Sequence, residues 1–245
     1  MRGHTDESAR APRAGGRSHP RVRCLTLRAL AGLVAVAGWS SAGAEQLAGR
    51  IQLHERGQPL GDLAGAWVWY EAAGGVPPRA PVVATVVTRN RKFSPRVLAV
   101  PSGSTVKFPN DDPVRHNVFS ISTGNRFDLG LYGPGAGRSC TLKQSGLVRV
   151  FCNVHRSMSA FVLVLDTPFY AAPDTGGRFA LAGLPAGEGT LHVWHPRAPE
   201  WTRAVRLPLD QPLEIVLDAT LPPVPQHLNK FGRPYAEEPD AGEYR

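Results

Sequence analysis

The sequence predicts an all-β protein built from sandwiches, and three observations carry that reading. Apolar runs are short and bounded by turn residues, with 26 glycines and 23 prolines spread over 245 residues, the signature of many short strands. Within these runs side chains alternate at the two-residue period of a strand, as at Val148, Val150 and Cys152. No heptad, helical-repeat or solenoid period is present. The length allows a sizeable core and two domains.

Residues 1–44 carry the features of an export signal. An arginine-rich start from Arg2 to Arg28 precedes an apolar run over 29–38, and Ala42-Gly43-Ala44 offers a small-residue cleavage pattern. That run is too short to span a bilayer. There is no adjacent arginine pair, and Cys24 stands on the wrong side of the run for a lipoprotein cysteine. Secretion by the Sec route to a bacterial periplasm is therefore expected, with no membrane attachment after cleavage. Seven of the 28 basic and two of the 20 acidic residues fall in this leader, so the remainder carries +3 rather than the +8 of the whole chain. No basic block interleaved with aromatics remains, which argues against a nucleic-acid partner.

Residues 45–78 open with a strand around Leu47 to Leu53, a turn at Gly57-Gln58-Pro59-Leu60, and a second strand at Ala66-Trp67-Val68-Trp69-Tyr70. Such a pair is only marginally stable alone. Residues 79–168 hold short strands expected near 83–88, 97–100, 105–108, 117–122, 147–152 and 161–165. Turn signals such as Pro101-Ser102-Gly103 and Gly133-Pro134-Gly135 separate them. Phe161-Val162-Leu163-Val164-Leu165 is apolar without alternation, so both of its faces should be covered. Residues 169–220 return to the opening style, with strands near 178–181, 191–196 and 213–217. From Leu221 to Arg245 proline and charge dominate, which predicts a mobile tail. Neither flank is large enough to bury a core alone, so one discontinuous domain with residues 79–168 inserted between its strands is expected.

The chemistry concentrates in Phe151-Cys152-Asn153-Val154-His155-Arg156-Ser157-Met158. A thiolate, an imidazole and a thioether lie within seven residues, a set that suits copper: sulfur favours Cu(I), imidazole accepts either oxidation state, and a thioether makes a weak axial ligand. A fourth ligand must come from elsewhere, and His116 in Asp112-Pro113-Val114-Arg115-His116-Asn117 is the best candidate. Two rival readings stand. One is a Cys140–Cys152 disulfide in a secreted sandwich. The other is zinc held by His116, Cys140, Cys152 and His155, which would leave Met158 unused. His192 and His195, three apart in a strand, fall on opposite faces and make a poor second site. Trp67 and Trp69 share a face and read as core. No Ser-His-Asp order, phosphate loop or paired-carboxylate motif stands out.

Val100-Pro101-Ser102-Gly103-Ser104-Thr105-Val106, Asn110, His116-Asn117-Val118 and Cys152-x2-His155-x2-Met158 together resemble the blue copper cupredoxins over roughly residues 79–168. The strands are similar to plastocyanin and the ligand loop to amicyanin, and the whole resembles plastocyanin-like methylamine utilisation proteins. The resemblance implies a Greek-key sandwich holding one copper, with His116, Cys152 and His155 in a trigonal plane and Met158 on a long axial bond. It also implies that Asn117 ties the ligand loops together, and that single electrons pass between a redox donor and acceptor. His155 would be the port, near Leu129, Leu131 and Tyr132. A copper-handling module without a redox circuit is the alternative. Outside this region, residues 47–70 and 174–217 resemble the carboxypeptidase regulatory-like, or transthyretin-like, sandwich. Gly189 stands where that pattern has an aromatic residue.

Overall fold

A computed structural model describes residues 44–235, so the leader expected over 1–44 lies outside the described residues apart from Ala44. The strands are β1 (Glu45–Glu55), β2 (Gln58–Pro59), β3 (Trp67–Ala72), β4 (Val83–Thr85), β5 (Val87–Arg89) and β6 (Lys92–Ser94). They continue with β7 (Val97–Pro101), β8 (Thr105–Asn110), β9 (His116–Ser120), β10 (Phe127–Tyr132), β11 (Gly135–Thr141) and β12 (Gly146–Cys152). The last are β13 (Ser159–Leu165), β14 (Tyr170–Ala171), β15 (Arg178–Leu184), β16 (Gly187–His195), β17 (Ala198–Leu207) and β18 (Leu213–Asp218). Among the described residues there is no helix. The all-β class read from the sequence is the class observed.

Four sheets pack as two sandwiches. In the first, β1 lies between β15, antiparallel, and β18, parallel, with β2 added at the end of β1. Its partner sheet runs β14-β3-β16-β17. Alternation along β1 buries Leu47, Ile51 and Leu53 against Tyr70, Leu191, Val193 and Ile215. Strands from both sides of residues 79–168 thus share both sheets and one core. Gly189 shows why a small residue serves here: a β-carbon at this position would lie 2.3 Å from the Tyr70 ring and 2.6 Å from the Glu71 carbonyl. Tyr70, fully buried on the neighbouring strand, occupies that space.

In the second sandwich one sheet runs β10-β9-β12-β13-β7 and the other β11-β8-β5-β6, with β4 also on β8. Val106, Phe108, Val118, Val148, Val150 and Val162 fill the space between them. β13 explains its own unbroken apolar sequence. Ala160, Val162 and Val164 face this core, while Phe161, Leu163 and Leu165 face Trp69 and Trp194 of the first sandwich. Full burial of each such side chain contributes about 1.5–3 kcal/mol, so a polar residue on either face would be costly. Trp69 is core, as read; Trp67 packs on the same cluster but is only partly buried.

A mobile tail is expected over residues 221–245, and its described part, residues 221–235, lies along the folded body. Its proline and charge prevent a core, but its polar groups find partners on the folded body: the Leu221 amide donates to the Arg197 carbonyl at 3.0 Å, and Tyr235 reaches the Cys152 carbonyl at 2.8 Å. Residues 236–245 lie outside the described residues.

Candidate metal centre

Three strands end at the same rim of the second sandwich. β8 stops at Asn110, β9 starts at His116, and β12 stops at Cys152. Antiparallel pairing of Cys152 with Val118 sets β12 beside the start of β9, so residues 36 apart in sequence meet. The loop after Cys152 is a tight turn: the Met158 amide donates to the His155 carbonyl at 3.2 Å, and the Cys152 amide to the Met158 carbonyl at 3.3 Å. This returns His155 and Met158 to the rim.

The result is a triangle of donor atoms. Cys152 Sγ lies 3.7 Å from both His116 Nδ1 and His155 Nδ1, and the two nitrogens are 3.2 Å apart. A triangle with these sides has its centre about 2.1 Å from each corner, within the 2.0–2.3 Å span of imidazole and thiolate bonds to a first-row metal. His116 and Cys152 have no exposure and Met158 only 1%, while His155 is half-buried. Met158 belongs to the same buried core cluster as Cys152. The structure therefore gathers His116, Cys152 and His155 and buries Met158.

Sequence reasoning missed Asp112. Its carboxylate accepts from His116 Nε2 at 2.9 Å, and from the backbone amides of Asn90 and Arg91 at 2.5 and 2.9 Å. Those amides converge because Asn90 and Arg91 both take left-handed φ, 53° and 54°, in the two-residue turn joining β5 to β6. Asn110 shapes the loop around it, accepting from the Asp112 amide and donating to the Val114 carbonyl. Burial by itself would push Asp112 up, but the Arg91 and Asn90 amides and His116 outweigh it and hold the carboxyl below its ordinary value. Burial lowers His116, and the Asp112 contact only partly offsets this. A neutral His116 whose Nε2–H is committed to Asp112 presents the Nδ1 lone pair to the triangle, as a histidine ligand requires. The sole sequence signal was an acid four residues before a histidine, within a stretch that reads as a turn.

Asn117 joins neighbouring segments through its backbone and its side chain. Its backbone carbonyl accepts from the Asn153 amide at 3.0 Å, while its side-chain nitrogen donates to Asp128 at 2.6 Å. The expected port patch is reduced. Leu131 is 51% exposed, but Tyr132 is buried with its hydroxyl donating to the Phe108 carbonyl, and Leu129 is partly buried. Val154 at 43% exposure adds to Leu131.

Chains similar to this one over about a third of its length include a novel purple cupredoxin from Nitrosopumilus maritimus. Identity is 24%, covering 34% of this chain and 99% of that one, with a TM-score of 0.31. A mutant amicyanin in its Cu(I) form is 21% identical, covering 34% of this chain and 82% of its own, with a TM-score of 0.32. A copper-containing nitrite reductase (NirK) from Thermus scotoductus SA-01 is 25% identical over 37% of this chain and 23% of its own, with a TM-score of 0.32. No protein-family profile and no curated sequence matches the chain.

Neither the zinc set nor the disulfide fits the geometry. Cys140, on β11, pairs with Val106 of β8, four residues below the Asn110 end of that strand. At a strand rise near 3.3 Å per residue this is about 13 Å from the rim, beyond bridging distance for a disulfide. Neither Cys140 nor Cys152 is in a disulfide, and burial pushes the Cys140 thiol up to about 12. The His192 ring stacks on Trp69 at 4.8 Å, and its Nδ1 lies 2.8 Å from a Glu200 carboxylate oxygen. His195 is buried, lowered to about 4 by desolvation. The two histidines serve packing, not a shared site.

Proposed function

We propose that the chain binds one copper ion between His116, Cys152 and His155, with Met158 as a weak axial ligand, and carries single electrons between a redox donor and an acceptor in the periplasm. The donor triangle is the observation that carries this reading: one thiolate and two imidazole nitrogens, their centre at bonding distance from all three, with Met158 buried in the same core cluster as Cys152. That donor set selects copper over harder cations. Copper held there supplies a one-electron couple.

The protein's own residues decide what such a couple is used for. Four filled positions leave no place for a substrate, which favours a carrier over an enzyme. Loops tied by the Asn117 carbonyl and the Asp112 carboxylate keep the donors in one geometry, so a change of charge requires little movement. Burial of His116 and Cys152 excludes water, and half-buried His155 offers the way to a partner. Secretion rests on the leader pattern, and the flanking sandwich would be a transthyretin-like domain split by the insertion.

Titration of the copper-free protein with Cu(II) should produce an intense visible thiolate-to-copper band that saturates at one equivalent, and Cys152→Ser should abolish it. A band surviving that change would overturn the ligand set. Fast electron self-exchange would separate a carrier from a copper-handling module, whose exchange would be slow.

A further inference from the structure

The C-terminal segment 225–235 touches the metal loop at points that hydrophobic packing does not explain. Tyr235 donates its hydroxyl to the carbonyl of Cys152 at 2.8 Å. His227 donates from Nε2 to the carbonyl of Arg156 at 2.9 Å, and its ring stacks on Phe151 with centroids 3.9 Å apart. The Lys230 amide donates to Asn153 Oδ1 at 2.9 Å. Its ammonium pairs with Asp128 at 2.7 Å, the same carboxylate that holds the Asn117 side chain next to His116. One short segment therefore engages the 152–156 stretch directly and reaches Asn117, beside His116, through Asp128.

Two further observations separate this from casual contact. First, the segment is folded on itself. Asn229 Oδ1 accepts from the amides of Phe231 and Arg233, the Asn229 amide donates to the Arg233 carbonyl, and Gly232 takes left-handed φ of 73°. That turn aims Tyr235 back at Cys152 while His227 reaches Arg156. Second, its own large apolar side chains are not what holds it. Leu228 and Phe231 remain 49% and 70% exposed, and a cleft of about 650 Å³ separates the segment from part of the sheet face beneath. What it contributes is aimed polar bonds to the ligand loop.

We infer that His227, Lys230 and Tyr235 are positioning residues that brace the 152–158 loop from outside, narrowing the range of geometries its donor atoms sample. This rests on the copper reading above for its consequence, though not for its geometry. A centre is only as rigid as the groups supporting its ligands. An unbraced loop would relax differently in each oxidation state, and that movement would slow electron exchange.

The test uses the full chain with Tyr235→Phe, which keeps the ring and removes one hydrogen bond, and with Tyr235→Phe and His227→Ala together. Amide hydrogen exchange is measured across 153–158 in the copper-free and Cu(I) proteins. The charge-transfer band and the self-exchange rate are measured after copper loading. Exchange in the loop should accelerate about fivefold for each hydrogen bond lost, with β1 and β16 unchanged. The double variant should bind one copper with a broadened or displaced band and slower self-exchange. Loop exchange, band and self-exchange all at wild-type values would overturn the brace. If the unaltered protein shows no copper band, the functional reading fails, but loop exchange in the copper-free variants still decides the brace.

Discussion

Asp112→Asn should raise the reduction potential of the centre. The substitution keeps size and shape while removing a buried negative charge 2.9 Å from His116 Nε2. Counting across the imidazole ring and one metal–nitrogen bond places that charge about 7 Å from the triangle's centre. Two unit charges at that distance interact by about 2.4 kcal/mol at an effective dielectric near 20. For a one-electron couple this corresponds to about 100 mV. The carboxylate stabilises the more highly charged oxidised state, so its removal should move the potential upward. The site is buried, the side chain being 7% exposed, so added salt should change the shift little. Asparagine also turns a donor towards the Asn90 or Arg91 amide, which should cost about 1–3 kcal/mol of stability. Spectroelectrochemical titration reads the potential and urea unfolding of the copper-free protein reads stability, so the two effects separate. A potential unchanged within about 20 mV, against the 100 mV expected from Coulomb's law, would refute the coupling of Asp112 to the centre through His116.

Met158→Leu should retain one copper per chain and raise its potential, because a weak electron donor to the oxidised ion is lost; an unchanged potential measured by the same titration would remove Met158 from the ligand set. A thiol reagent added to native, never-metallated protein at pH 8 should leave Cys140 unreacted, since burial holds its thiol near 12, whereas denatured protein should titrate two thiols beyond residue 44; finding none after denaturation would restore the disulfide reading. His195 contributes to the pH profile of stability. Its folded value, about 4, lies below the ordinary 6.5, so its contribution is complete above pH 6.5 and lost as pH falls towards 4. His195→Asn should flatten the urea-midpoint profile over that window, and an unaltered slope would show that His195 does not titrate with unfolding.

The strands and the Cys-His-Met loop were legible because both are local. Alternation in β1 and β12, turn signals between short runs, and a Cys-His-Met loop at two-residue intervals depend only on neighbours in the chain. The unbroken run at Phe161 to Leu165 also announced two covered faces. Other features depend on pairing between distant segments. The sequence favoured Cys152 as the ligand but left a Cys140–Cys152 bridge open, until strand register set Cys140 about 13 Å below the rim. Asp112 looked like a turn residue, and only a second turn, at Asn90 and Arg91, made its carboxylate the anchor of His116. Composition predicted a mobile tail over residues 221–245, and Leu228 and Phe231 are exposed. It did not predict that Tyr235, His227 and Lys230 would meet the ligand loop. A backbone carbonyl presents the same chemistry wherever it stands, so no residue pattern marks which one a distant hydroxyl will find. The tertiary fold alone decided that.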